Sequence, residues 1–393
     1  MSRPLDDVVV FDLTRLFCTS LTAAFLADFG ARVIRLEIEP GAARAESGWN
    51  HDADLIHRNK ESLALDASGE PGRALLHALL AKADAFVTDW SVAELAALGI
   101  DYAGACALRD DIVYGRLSGF GPVGPDRELP PIDELAAART GMMPIVPQPG
   151  QPPVYTGAGA MHASTMLAFG VVTALLHRAA SGEGQAVDVS LFGANMYGAA
   201  LDIQAFLAIG KGERLLNPIS RLDVSNPMSG SFYPSADGRW LTLTMPDTDR
   251  WWPTFCAEVG LDEHDPRFDS HDKRTETHRL ELIQALEAAF VKKPASHWRR
   301  VFIEKQLSAD IIERFDYPAN DPQARVNRYV IEIDHPSLGK RKSLGFPIFL
   351  SEGTARLDAL APCVGQHGSA VLHDLLGYSE DAVQACRSAG VLN

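Results

Sequence analysis

The chain has 393 residues, too many for one small core and enough for two domains or one large elaborated one. Hydrophobic residues at 46% and charged residues at 22% are the proportions of an ordinary globular protein. A net charge of −15 leaves no basic surface to hold nucleic acid, and polar residues break every apolar stretch before the ~18 positions a membrane span needs, so neither partner is expected.

The opening Met-Ser-Arg-Pro-Leu-Asp-Asp leads straight into a strand and carries no signal-peptide apolar core. Val8–Leu13 is a continuous apolar run of the buried parallel-strand kind. An amphipathic helix over Ser20–Phe29 follows, stopped by Gly30, and Ala31–Glu37 is the next strand. Glu70–Lys82 reads as a helix with Pro71 at its start, and Ala85–Thr88 and Ile112–Leu117 as further strands. This strand-helix alternation predicts a parallel sheet flanked by helices. Pro130–Pro153 is loop around a short helix at Asp133–Thr140, and a long helix then covers Met161–Arg178. From Asn226 the texture changes. Ser231–Thr244 reads as a hairpin turning at Asp237-Gly238, and Trp251–Val259, Glu276–Val291 and Ala295–Gln306 as helices, together a smaller α+β domain. Ala361–Tyr378 is helical again. Cys18, Cys106, Cys256, Cys363 and Cys386 are odd in number and lack C-x-x-C spacing, which predicts reduced thiols in a cytoplasmic protein and no zinc site.

Five segments, in order, carry a resemblance. They are Leu26-Ala-Asp-Phe-Gly-Ala-Arg-Val-Ile-Arg-Leu-Glu37, Asn59-Lys-Glu-Ser-Leu-Ala-Leu-Asp66, Ser118-Gly-Phe-Gly-Pro-Val-Gly-Pro125, Asp321-Pro-Gln-Ala-Arg325 and Ala361-Pro-Cys-Val-Gly-Gln-His367. Between them the long helix runs into Ser181-Gly-Glu-Gly-Gln-Ala-Val-Asp-Val-Ser-Leu191. The set resembles the family III CoA-transferases, the formyl-CoA/carnitine-CoA type. The resemblance implies a large Rossmann-like domain over 1–225, a small α+β domain over 226–330, and a return of 331–393 to the large domain. It also implies that two such chains thread through each other as an interlocked dimer.

In that family an aspartate ten residues before the helix glycine is the nucleophile. Counting back from Gly170 lands on Ala160. CoA transfer needs a carboxylate to attack the acyl-CoA thioester, and alanine has no lone pair to offer. Along the sequence the nearest carboxylates are Asp133, Glu134 and Glu183, none within several residues. His162 is the one ionisable side chain close by, a candidate general base whose plainer role is a polar residue in a helix's first turn. Racemases of the superfamily use a histidine–aspartate pair, and the histidine's step reads Ile132-Asp133 here.

The nucleotide site reads as eroded against the same resemblance. Ile38-Glu39 follows the second strand where basic or proline residues are usual. Thr88-Asp89-Trp90 and Ala97-Leu98-Gly99 stand for "Glu-Asn-Phe" and "Arg-Leu-Gly", and Phe17-Cys18-Thr19 for a small "Ala-Gly-Pro". Phe17 is expected to intrude on the ligand. Arg15, Arg35, Lys60, Ser118 and Gly119 remain as candidate CoA contacts, while Trp251-Trp252 reads as core packing. An intact scaffold around a dismantled site predicts a non-catalytic subunit beside a catalytic paralogue. The model for this is the succinyl-CoA:benzylsuccinate type, with coenzyme A as substrate and no cofactor. The alternatives are a stand-alone isomerase or racemase using His162, Asp133 or Glu134, and a scaffold without ligand.

Overall fold

Alternating apolar strands and helices build most of the first half of the chain. The computed structural model describes residues 2–38, 51–144, 147, 150–210, 220 and 222–392. In order these are β1 (Val9–Leu13), α1 (Phe17–Asp28), β2 (Arg32–Glu37), α2 (His51–Ile56), β3 (Lys60–Ala64), α3 (Glu70–Leu80), β4 (Ala85–Thr88), α4 (Val92–Ala97), α5 (Tyr102–Leu108), β5 (Val113–Ser118), α6 (Asp133–Ala138), α7 (Ala158–Ser181), β6 (Gln185–Ser190), α8 (Leu191–Gly198) and α9 (Ala200–Ile209). All six strands pair in parallel, in the order β3-β2-β1-β4-β5-β6. This is the dinucleotide-fold order, whose direction reverses between β1 and β4.

Strand periodicity divides the core into two layers. Phe11, Ile34, Leu63 and Phe86 point to one face, against α3 through Leu75, Leu76 and Leu79. Val10, Val33, Val87 and Val113 point to the other, against α1 and α7 through Leu26, Leu167 and Val171. The helix glycine Gly170 has a packing reason: a Cβ there would stand 2.6 Å from Val187 Cγ1 of β6. Among the described residues α7 alone is long and apolar enough to cross a membrane, and 44% of its most apolar window is buried within the protein.

The chain divides into two compact units, one of Met1–Met143, Tyr155–Ile209 and Asp321–Asn393, the other of Pro144–Val154 and Gly210–Asn320. The divisions therefore fall after Ile209 and Asn320, where the sequence suggested 225 and 330, and a short segment before α7 joins the second unit. That unit holds β7 (Ser229–Pro234), β8 (Trp240–Thr244), α10 (Thr248–Val259), a π-helical turn (Lys273–Thr277), α11 (Arg279–Phe290), α12 (Ala295–Glu304) and β9 (Ala309–Ile311). Its three strands are antiparallel, with Gly238 at φ 72° in the hairpin turn. Trp252 is buried in its core and donates Nε1 to the Glu263 carbonyl at 3.1 Å.

The first unit closes with α13 (Pro322–Val326), the hairpin β10 (Val330–His335) and β11 (Gly339–Leu344), α14 (Gly368–Leu376) and α15 (Glu380–Ser388). The expected helix from Ala361 begins only at Gly368, because the preceding residues dock on β3. Gly365 N donates to Ser62 Oγ at 2.6 Å, and Ser62 N to His367 Nδ1 at 3.1 Å.

Candidate active-site cleft

At the carboxyl ends of β1, β4 and β5 the chain leaves the sheet in diverging directions and opens a cavity of about 430 Å³. Arg15 and Leu16 line it after β1, Asp89–Val92 and Glu94 after β4, Arg116–Gly119 at the end of β5, and Arg127–Ile132 from the loop before α6. This is the switch point at which open α/β sheets bind ligands.

Asp89 organises the floor. Its carboxylate accepts from Arg15 N at 2.9 Å and Leu16 N at 2.8 Å, and its burial pushes its pKa up. The Arg15 guanidinium lies 3.7 Å over the Trp90 ring and donates Nη1 to Glu94 Oε1 at 2.8 Å. Glu94 closes the capping box of α4, accepting from Ser91 Oγ at 2.6 Å and Ser91 N at 2.9 Å. The bond from the Ser91 hydroxyl first, and then Arg15, hold its carboxyl down at about 2. Arg116 pairs with Asp188 at 2.8 Å, and Ser118 Oγ donates to the same carboxylate at 2.8 Å. Arg127 pairs with Glu128 at 3.0 Å. The lining thus holds three arginines (15, 116, 127) and three acids (89, 94, 128), a formal sum of zero. Gly119 is required by packing, since a Cβ there would stand 2.8 Å from the Pro130 carbonyl oxygen.

Beside this cleft, α7 starts from Gly157, at φ 69°, with no side-chain cap and no acid in its first turn. Ala160 lies inside that turn, half-buried against the α1–α7 core, and not ahead of the helix as the sequence suggested. The fold supplies a carboxylate that sequence distance hides. Asp133, the first residue of α6, accepts from Tyr155 Oη at 2.6 Å and from Asn195 Nδ2 at 2.7 Å. The Asn195 amide presses on the α7 start: a Cβ on Gly159 would stand 2.0 Å from its nitrogen. Burial, then the bond to Asp133, pushes the Tyr155 hydroxyl up. Sequence reading missed Tyr155 and Asn195, and their spacing from Asp133 gives no local signal. Glu134 and Glu183 are exposed. His162 is exposed too, its ring set against Gly198, with no acid–base partner among the described residues. Among the described residues no three His, Cys, Asp or Glu side chains converge on a common point as metal ligands would.

The CoA-transferase family III model matches residues 5–368. The chain belongs to that family. It is 29% identical to a cinnamoyl-CoA:phenyllactate CoA-transferase of Clostridium sporogenes, with 96% of this chain and 94% of that one aligned. It is 28% identical to a succinyl-CoA–D-citramalate CoA-transferase of Chloroflexus aurantiacus, over 99% and 98%. A CAIB/BAIF family protein from Brucella suis shares the fold at TM-score 0.83 and 24% identity, covering 95% of this chain and 100% of that one.

Within this family III chain the candidate CoA contacts separate. Arg15, Ser118 and Gly119 line the cleft. Lys60 and Arg35 do not. Lys60 is wholly buried and spends its three donors on Asp12 Oδ2 at 2.6 Å, the Ser20 carbonyl at 2.7 Å and Ser20 Oγ at 3.0 Å. Arg35 bonds His57, whose ring also meets Ser20 Oγ at 3.3 Å. These cations hold β1, β2, β3 and α1 together, and the Lys60 ammonium is closed off from solvent. The adjacent Asn59 and Arg58 are structural as well. Arg58 pairs with buried Asp28 at 2.6 Å, and Asn59 Oδ1 accepts from Asp358 N at 2.7 Å and Ala359 N at 2.9 Å, tying the returning chain to the sheet. Phe17 opens α1 half-buried and is not part of the cleft lining, and neither is Ala97. Glu39 lies outside the described residues.

Proposed function

We propose that this chain is the non-catalytic subunit of a two-subunit family III CoA-transferase that moves CoA from an acyl-CoA, succinyl-CoA in the favoured case, to a carboxylic acid. The observation that carries the reading is Ala160 in the first turn of α7, where the family resemblance implies the nucleophilic aspartate. In the reaction a carboxylate attacks the thioester carbonyl, giving a mixed anhydride and CoA thiolate. The thiolate attacks the enzyme-side carbonyl and releases the donor acid, leaving an enzyme thioester. The acceptor acid then repeats the exchange and departs as its CoA ester. A methyl group performs none of these steps, so the aspartate comes from the partner chain. The neutral sum of charge in the cleft agrees with a chain that does not retain CoA unaided.

The test is CoA transfer from succinyl-CoA to a panel of acids, followed for the chain alone and with a paralogue bearing the aspartate. Turnover only with the partner is expected; turnover by the chain alone overturns the subunit reading. One observation favours a second reading. Asp133 stands beside the α7 start, held by Tyr155 and Asn195, and is the carboxylate a self-sufficient enzyme would use. Loss of solitary turnover in Asp133→Asn would identify that case.

A further inference from the structure

A second cavity, of about 80 Å³, lies at the amino ends of β2 and β3, at the opposite end of the sheet from the cleft. Its lining carries Arg58, Arg328 and Arg356 against Asp28 alone, a formal sum of +2 in a chain of net charge −15. Arg58 is already answered. It pairs with Asp28 at 2.6 Å and donates Nη1 to the Leu344 carbonyl, and Asn59 Nδ2 donates to the same carboxylate at 2.8 Å. The surplus charge therefore sits on Arg328 and Arg356. The Arg328 guanidinium forms no hydrogen bond or ion pair among the described residues. Arg356 makes one long contact, from Nε to Asp358 at 3.6 Å, and the other oxygen of that carboxylate is held by Arg3 at 2.7 Å.

The backbone also singles out Arg328. It stands just past α13 at φ 56°, the left-handed region in which helices ordinarily end on glycine, and non-glycine residues held there cluster at ligand sites. Its carbonyl packs so closely on Gly345 that a Cβ there would stand 1.9 Å away. One wall is fixed by Phe346, which packs on Phe25 and Phe29 with ring centroids 5.1 and 5.2 Å apart. Past Arg328 and Arg356 the cavity adjoins a groove of about 370 Å³, where Glu332, Asp334 and Asp358 turn the charge negative. Those acids oppose a long polyanion and leave room for a compact one.

We propose that Arg328 and Arg356 hold a compact phosphate group, either the free ion or the head of a phosphate monoester, and that this group fastens the returning chain to the sheet. A phosphate carries about −1.5 to −2 at neutral pH, which answers the charge of the lining, and guanidinium forks match its oxygens. The site is separate from the cleft, so it does not depend on whether the chain binds CoA.

Calorimetry of the full chain with inorganic phosphate, at an ionic strength matched with chloride, reads the site directly. One saturable site is expected. Arg328→Gly should weaken it roughly tenfold, the worth of a charge-assisted hydrogen bond, and glycine suits the left-handed backbone, so the variant should fold. Arg356→Gln should weaken it as well. Arg127→Gln, in the cleft, should leave it unchanged. Phenyl phosphate distinguishes the sources: tighter binding than inorganic phosphate assigns the site to a monoester head against the Phe346 wall, equal or weaker binding assigns it to the free ion, and either supports the site. No saturable phosphate binding by the parent, an unchanged affinity in Arg328→Gly or in Arg356→Gln, or a loss in Arg127→Gln overturns the proposal.

Discussion

Asp12 and Lys60 form an ion pair from which solvent is wholly excluded. Such a pair adds little over an apolar replacement, but removing one member strands the other charge. Lys60→Met should therefore cost about 3–5 kcal/mol in urea unfolding, with part of the loss recovered when Asp12 is replaced by Leu as well. Next to the pair, His57 is held neutral down to about 2, by burial first and then by the charges of Lys60 and Arg35. In the unfolded chain this ring takes a proton near its ordinary 6.5, so below that pH the unfolded state binds more protons and stability falls as pH drops. The expected loss is about 1.4 kcal/mol per pH unit from this group. Asp28 and Asp89, raised by burial, act with the opposite sign. The contribution of His57 is thus the difference in slope between the parent and His57→Gln over about pH 7 to 5, and equal slopes would contradict it. These residues also mark where sequence reading stops. A lysine opening a strand looks the same in sequence whether it faces solvent or a carboxylate, and the acid that decides the matter, Asp12, is 48 positions away.

Elements were more legible than residues, for a physical reason. Continuous apolar runs have one stable fate in an α/β unit whose sheet is covered on both faces, so β1, β2, β4 and β5 could be read within a residue or two. The strands β3 and β6 lay inside segments recognised only as motifs, since β3 carries Lys60 and Glu61, and β6 is half-buried along its length. The opposite problem occurs on α7, which carries large apolar residues on the side away from its buried face, and on α9. Phe169 and Leu176 are 74% and 72% exposed on α7, and α9 has no buried residue although Leu201, Phe206 and Ile209 stand on it. Apolar area of this kind is what the dimer expected from the family resemblance would bury. Sizing by light scattering should show a dimer or larger. Phe169→Glu with Leu176→Glu should weaken association at least a hundredfold, as the loss of about 3 kcal/mol of apolar burial implies. A chain that dimerises equally well with both substitutions would show that this face is not the contact.

For the whole molecule, the family assignment and the sheet were accessible from motif order, while the allocation of function among chains depends on what surrounds one position. The returning segment illustrates the first point: its motif through His367 docks on β3, so a signature readable in sequence is the record of a long-range joint. The second point turns on Ala160. An aspartate there would be tolerated by the helix, because the first turn of α7 has no acid and its unpaired N–H groups favour one. Folding is therefore not the expected obstacle to activity in Ala160→Asp. Two other features are expected to oppose it. The cleft sums to zero charge, with Glu94 on Arg15, so the thioester is poorly retained near the restored carboxylate, and positioning is worth several kcal/mol of barrier. Asp133 also stands beside the helix start, and a second carboxylate near it meets like-charge repulsion. Ala160→Asp should accordingly melt within a degree or two of the parent yet transfer no CoA alone. Full turnover from the single substitution would show that the nucleophile was all the chain lacked.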